Sequence, residues 1–117
     1  MKMKITSIAE KGDIQNERVG LIATADCNTK FYLLFKTYFN KAGFFNSSLH
    51  TYWFPPTDVK ANDKIVVYTR SGNYSVKQEQ GITIHFFYWG KSEPLYTDVE
   101  DGVVLAEIDS WQLSRNM

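Results

Sequence analysis

Apolar and polar residues alternate with a period of two along much of this 117-residue chain. The period is typical of β-strands, because successive side chains of a strand point to opposite faces of the sheet. No segment places its apolar residues at the spacing of an amphipathic helix. Seven segments fit the strand pattern: 2–10, 17–25, 30–39, 49–54, 64–70, 82–89 and 103–109.

Turn signals separate these segments, among them Gly12-Asp13, Pro55-Pro56, Ser71-Gly72-Asn73 and Gly90. Segment 30–39 is apolar on both faces, as either a buried strand or a short buried helix would be. Its aromatic residues favour the strand. Seven or eight short strands at this spacing predict an all-β fold, either a sandwich or a barrel.

Composition narrows the class of protein. The length fits one domain, spanning residues 1–117. Aromatic residues make up 15% of the chain, which again favours sheets. Thirteen basic and thirteen acidic residues cancel, so no broad positive field favours general coating of nucleic acid. The single cysteine, Cys27, excludes an internal disulfide and a multi-cysteine zinc site.

Candidate catalytic or metal-binding groups are few. His50 and His85 stand far apart in sequence and have no partner at a metal-ligand spacing. The acidic turn from Asp98 to Asp101 offers oxygen ligands but not the full series of a calcium loop, and Asp-Gly is also a common hairpin turn. Neither a Gly-x-Ser-x-Gly elbow nor a glycine-rich phosphate loop is present. The sequence therefore predicts no enzyme, no cofactor, no metal site and no small-molecule substrate.

An ordered series of short motifs runs through the second half of the chain. The motifs are Phe54-Pro55, Asn62-Asp63, the strand 65–69 followed by Gly72, Tyr88-Trp89-Gly90, Pro94-Leu95-Tyr96, and Asp101 with Leu105. Asn16-Glu17-Arg18-Val19 precedes them at the entry to an early strand. In this order the motifs resemble the lamin-tail domain, in its bacterial branch. The match covers residues 16–20 and 53–107 with gaps, and the order of the motifs carries it more than any single motif.

The resemblance implies an immunoglobulin-like β-sandwich of about seven to nine strands, and it implies that Asp101 is a structural turn residue. It implies no reaction, since a fold does not fix a function.

Segment 82–89 offers a candidate binding surface. If Ile82, Ile84, Phe86 and Tyr88 face the core, the alternate residues face outward. The predicted surface then consists of His85, Phe87 and Trp89, with Tyr68 and Arg70 from the neighbouring segment 64–70. Large aromatic residues and arginine are the types that anchor partners. The alternative is that a loop covers this face, or that both faces are buried there.

Two functions follow from this pattern. The first is a protein-binding or self-associating module that uses the aromatic sheet face. The second is a nucleic-acid-binding accessory domain that combines aromatic stacking with local lysine and arginine. The N-terminal segment lacks the apolar run of a signal peptide, and no stretch approaches the ~18 apolar residues of a membrane span. We therefore expect a soluble, cytoplasmic protein.

Overall fold

The computed structural model describes residues 1–40, 43–44 and 50–115. These residues form an all-β fold whose one helical element is the single 3-10 turn Thr29–Phe31. The strands are β1 (Met3–Ala9), β2 (Arg18–Ala23), β3 (Cys27–Asn28), β4 (Tyr32–Asn40), β5 (Gly43–Phe44), β6 (Thr51–Trp53), β7 (Asp58–Val59), β8 (Lys64–Arg70), β9 (Ser75–Glu79), β10 (Ile82–Lys91) and β11 (Asp101–Glu107). The predicted all-β class is confirmed. Across the same residues no helix has the length and apolar character needed to cross a membrane.

Five strands form the larger sheet, in the order β1-β2-β8-β10-β9. All neighbours are antiparallel except β8 and β10, which run parallel. β9 and β10 form a hairpin whose two turn residues, Gln80 and Gly81, both have positive φ angles (53° and 83°). This is the backbone of a type I′ turn, whose twist matches that of the flanking strands. Strand β9 was not predicted, because its sequence SVKQE is almost entirely polar.

The second sheet is built on β4, which β11 pairs along one edge and β6 along the other. β5 pairs with the far end of β4, and β3 and β7 form a separate two-stranded ribbon. Segment 30–39 thus contains the central strand of this sheet, β4, rather than a buried helix. The three two-residue strands have no counterpart among the predicted segments, because such short pairings leave no period to detect.

The two sheets enclose one hydrophobic core, so the fold is a β-sandwich. Phe54 and Phe87 meet across it edge to face, with ring centroids 5.2 Å apart. An edge-to-face pair matches the positive edge of one ring to the negative face of the other. The buried apolar residues of this core are Met3, Val19, Leu21, Ala23, Tyr32, Leu34, Phe54, Val59, Ile65, Val67, Phe87, Leu95 and Tyr96.

A fully buried carboxylate, that of Glu17, joins four separate parts of the chain. Its Oε1 accepts hydrogen bonds from the backbone N–H groups of Gly12 (2.9 Å) and Tyr96 (3.0 Å). Its Oε2 accepts from the backbone N–H of Leu95 (2.8 Å) and the hydroxyl of Thr69 (2.5 Å). A buried charge is tolerated only when such donors replace its lost hydration. Glu17 therefore fixes the loop before β11 against the start of β2 and the end of β8.

We expect Glu17→Ala to lower the free energy of unfolding by about 3 kcal/mol or more, because it leaves several buried donors without an acceptor. Chemical denaturation of the variant beside the wild type measures the loss. Glu93→Ala is the matched control: Glu93 is exposed, and its replacement should change stability by less than about 0.5 kcal/mol. Equal losses in the two variants would contradict the structural role of Glu17.

Candidate interaction surface

The row of β10 that was predicted to face outward points into the protein, although Ile84, on the other row, is buried as predicted. Phe87 is 1% exposed and His85 is 6% exposed, so both point into the protein. The reason lies in the parallel pairing with β8, which sets Phe87 opposite Val67 and His85 opposite Ile65, both buried residues. Paired residues on neighbouring strands share a face. The predicted period of two is correct. It did not show which row of β10 is buried, because both rows are rich in aromatic residues.

Trp89 also lies on the inner side. It is half-buried, packs against the core and contacts Tyr52 with ring centroids 5.7 Å apart. The prediction that His85, Phe87 and Trp89 form an exposed binding surface is therefore wrong for His85 and Phe87, which are buried. For Trp89, which is half-buried, the contacts are those of a residue that closes one end of the core.

Tyr68 and Arg70 lie on the outer face of the larger sheet, where Phe86 and Tyr88 join them. The rings of Tyr68 and Tyr88 stack nearly parallel, with centroids 5.4 Å apart and planes 12° apart. The ring centroid of Phe86 lies 6.4 Å from that of Tyr68. We call Tyr68, Phe86, Tyr88 and Arg70 the outer aromatic cluster. The sequence analysis missed Phe86 and Tyr88 because it placed them in the core.

Arg70 holds this cluster in place. Its guanidinium lies 4.9 Å from the ring centroid of Tyr68 and 5.1 Å from that of Tyr88, within the range of a cation–π contact. The same group donates hydrogen bonds to the backbone carbonyls of Gln15 and Ser71, each at 3.1 Å. Gly72 completes the packing, since a Cβ at this position would lie 2.4 Å from the Tyr88 ring. The cluster is thus preorganised.

The register of the strands places cations beside the cluster. One row across the outer face reads Lys4, Ile22, Lys64, Ile84 and Lys77, one residue from each strand. Lysine and isoleucine alternate along it, so successive lysines stand about 10 Å apart. With Arg18 and Arg70, five cationic side chains of the described strands share the face with one carboxylate, that of Glu79, which lies 3.3 Å from Nζ of Lys77.

A shallow depression separates the lysine row from the outer aromatic cluster. It has a volume of about 300 Å³ and lies over Gly20, with Lys64 and Val66 on its walls. Gly20 supplies no side chain, and a Cβ there would lie 2.9 Å from Oγ of Ser7 and 3.0 Å from Oγ1 of Thr6. The outer face therefore presents a basic row, a trough and an aromatic cluster side by side.

His85 belongs to a hydrogen-bonded chain in which His85 and Asp63 are buried and Tyr74 is exposed. Its Nε2 lies 3.0 Å from Oδ2 of Asp63, and its Nδ1 lies 2.9 Å from the hydroxyl of Tyr74. A carboxylate only accepts, so Nε2 donates to Asp63, and in the neutral ring Nδ1 accepts from Tyr74. Burial, followed by the charge of Asp63, raises the pKa of Tyr74. Through His85 of β10, the hydrogen bonds tie Asp63, which precedes β8, to Tyr74, which precedes β9.

The carboxylate of Asp101 accepts hydrogen bonds from within the acidic turn and its flank. Asp101 accepts hydrogen bonds from the backbone N–H groups of Thr97 (3.0 Å) and Asp98 (2.9 Å), and its other oxygen lies 3.7 Å from Nζ of Lys36. Outside 41–42, 45–49 and 116–117, no group of three or more His, Cys, Asp or Glu residues is arranged to hold a metal ion. Asp101 is a turn residue that opens β11.

A second aromatic surface was not predicted. Trp53 and Trp111 are about half exposed and meet edge to face at 5.2 Å. They line a cavity of about 390 Å³ with Lys30, Phe54 and the two prolines that follow it. Trp111 follows the last strand, where the sequence shows no strand period, so only its residue type pointed to this surface.

The pH dependence of stability should carry a contribution from Asp63. Burial opposes ionisation of this carboxyl, but hydrogen bonds from Lys60 N–H, His85 and Thr83 N–H together lower its pKa from the ordinary value of 3.8. A lowered pKa means that the carboxylate stabilises the folded state above that value and that the stability is lost as pH falls through the folded-state pKa.

Denaturant unfolding at several pH values between 7 and 2.5 measures this. We expect the free energy of unfolding of Asp63→Asn to fall less steeply below pH 4 than that of the wild type. Asp109→Asn, at an exposed position, should follow the wild-type curve. Parallel curves for Asp63→Asn and the wild type would contradict the role of Asp63.

Replacing Trp89 separates a core residue from a partner anchor. Because Trp89 packs against Tyr52 at the end of the core, we expect Trp89→Ala to cost about 3 kcal/mol of stability. Val99→Ala, at a position 91% exposed, should cost less than about 0.5 kcal/mol. Denaturant titration of both variants tests this, and a neutral Trp89→Ala would restore Trp89 as a candidate surface residue.

Comparisons with protein-family models and with curated proteins found no match to the chain. The resemblance of residues 16–20 and 53–107 to the lamin-tail domain therefore stays a prediction from the sequence. The structure itself contributes a different kind of observation. It shows an outer sheet face on which an ordered aromatic cluster, a trough and a row of lysines lie together, and this face is the candidate interaction surface.

Proposed function

We propose that this protein is a non-catalytic interaction module that binds an acidic protein surface through the outer face of its five-stranded sheet. The observation that carries the proposal is the charge of that face: five cations against one carboxylate, on a chain whose net charge is zero. Charge segregated to one face steers a partner of opposite charge and sets its orientation. The acidic residues of the chain lie mostly elsewhere.

The apolar content of the same face supports a macromolecular partner. Ile22, Val66, Phe86 and Tyr88 are half-buried on this face, and the loop at Gly72 packs against the Tyr88 ring. A contiguous apolar area rimmed by charges is typical of protein–protein surfaces. Because Arg70 holds the rings in fixed positions, little side-chain freedom would be lost on binding.

Single-stranded nucleic acid is the second candidate, and the row of Lys4, Lys64 and Lys77 favours it. Lysines along a sheet can follow a phosphate backbone while aromatic rings stack on bases. Tyr68 and Tyr88, however, already stack on each other, and Arg70 lies within cation–π distance of both rings. A base that stacks on this pair would compete with these contacts. This favours the protein partner.

We also propose that the chain is a lamin-tail-like domain with immunoglobulin-like topology, of bacterial origin and cytoplasmic. The two-sheet sandwich and the buried position of Glu17, within the early Asn-Glu motif, support the first part. A half-buried cysteine without a disulfide is compatible with a reducing compartment.

Paired capture experiments test the proposed function. Wild-type protein and Lys64→Glu are immobilised, exposed to native cell extract at 100 mM salt, and the retained proteins are quantified by mass spectrometry. We expect a partner that is retained about tenfold less by Lys64→Glu, because the substitution places a carboxylate in the lysine row. Tyr88→Ala should lose the same partner.

The matched control is Lys60→Glu, which makes the same charge change at an exposed site outside the outer face. It should retain the partner at the wild-type level. Fluorescence anisotropy with labelled dT20 at 50 and 200 mM salt tests the second candidate. Strong, salt-sensitive binding of dT20 that Lys64→Glu abolishes would replace the protein partner with nucleic acid, and equal retention by all variants would overturn both.

A further inference from the structure

β9 is one of the two edge strands of the larger sheet, and β1 is the other. β9 is the last strand in the sheet order and pairs only with β10 among the described residues. All five of its residues, Ser75–Glu79, are exposed, and Val76 is 53% exposed. An edge strand presents unpaired backbone N–H and C=O groups, which are a template for pairing with another strand.

The hairpin turn determines which backbone groups face this open edge. In the two-residue turn, the carbonyl of Glu79 pairs with the N–H of Ile82, so Glu79 and Ile82 form a hydrogen-bonded pair. Hydrogen-bonded and non-hydrogen-bonded pairs alternate along an antiparallel ladder. Lys77 and Ile84 are therefore also hydrogen-bonded, and the backbone groups of Val76 and Gln78 point away from β10. A strand that adds to β9 must bond to these two residues.

Charge then selects one register for pairing with an identical strand. Lys77 and Glu79 project from the same face of the sheet, with Nζ and Oε2 3.3 Å apart. If two copies of β9 pair antiparallel about Gln78, Lys77 of each copy faces Glu79 of the other. Shifting the register so that Val76 faces Gln78 brings Lys77 against Lys77 instead. Opposite charges stabilise a cross-strand pair and like charges destabilise it.

We propose that β9 is a self-association edge, at which a second copy of this chain pairs antiparallel with the two-fold axis through Gln78. The pairing joins two five-stranded sheets into one continuous sheet. Lys77 and Glu79 form a non-hydrogen-bonded pair there, in which side chains approach most closely. The strand is short and polar, so the association is weak and reversible.

A charge-swap series tests the pairing, with sedimentation velocity at several protein concentrations as the measurement. We expect the wild type to dimerise with rising concentration. Lys77→Glu should raise the dissociation constant about tenfold or more, because both cross-strand pairs become repulsive. Glu79→Lys should do the same. The double variant carrying both changes restores opposite charges across the axis and should return to the wild-type value.

Disulfide trapping tests the register independently. Residues that face each other as a hydrogen-bonded pair have Cα atoms about 5.5 Å apart, within the range a disulfide spans. Gln78→Cys should therefore form a covalent dimer on oxidation. In the same register the two copies of residue 76 stand about 13 Å apart, so Val76→Cys should not. Cys27 is present in both variants, so it cannot account for a difference between them.

Several outcomes would overturn the proposal. These are a wild type that remains monomeric at millimolar concentration, single charge variants that dimerise as well as the wild type, or a double variant that does not recover. Cross-linking of Val76→Cys rather than Gln78→Cys would overturn the register and the charge pairing with it. All substituted residues are exposed, and circular dichroism checks that each variant keeps its sheet content.

Discussion

The buried carboxylate of Glu17 is the constraint on which the arrangement of the sheets depends. It satisfies donors from the turn at Gly12, from β8 at Thr69, and from the loop at Leu95 and Tyr96. These parts lie up to 79 positions from Glu17 in sequence. None of the described hydrogen bonds to this carboxylate comes from a cationic side chain. The donors are backbone amides and one hydroxyl. The network specifies position more strictly than apolar packing does, because a misplaced donor leaves a buried charge unsatisfied.

The same network supports the outer face indirectly. Thr69, which donates to Glu17, lies between Tyr68 and Arg70 on β8. Because Thr69 points inward, Tyr68 and Arg70 point to the outer face. The hydrogen bond of Thr69 therefore fixes the orientation of both neighbours. Arg70 then bonds to the carbonyl of Gln15, two residues before Glu17. The inner carboxylate and the outer guanidinium thus tie β8 to the same short segment from opposite faces of the sheet.

The sequence predicted the fold class and most longer strands, because a period of two is a local property. The faces of β10 required long-range information. In β8 the inner row is Ile65, Val67 and Thr69, whereas the outer row includes two charged residues, so its phase is visible. In β10 both rows carry large aromatic residues, and the parallel register with β8 decides the phase. Of the predicted surface residues, Tyr68 and Arg70 lie on the outer face, whereas His85 and Phe87 are interior. The buried role of Glu17 was invisible because nothing local distinguishes it from a surface glutamate.

The open edge and the outer face have a geometric relation that bears on affinity. A two-fold axis between antiparallel strands of one sheet stands normal to that sheet, so it keeps equivalent faces on the same side. Two copies joined at β9 would therefore present both outer aromatic clusters and both lysine rows in one direction. A flat, partly polar sheet face offers a single partner few deep anchors. When two such faces are joined, a partner with two acidic sites binds one face first and the other face second. The second binding event is intramolecular, and its high effective concentration raises the affinity without any new contact. Weak self-association at β9 would then regulate binding at the outer face, to which β9 itself contributes Lys77.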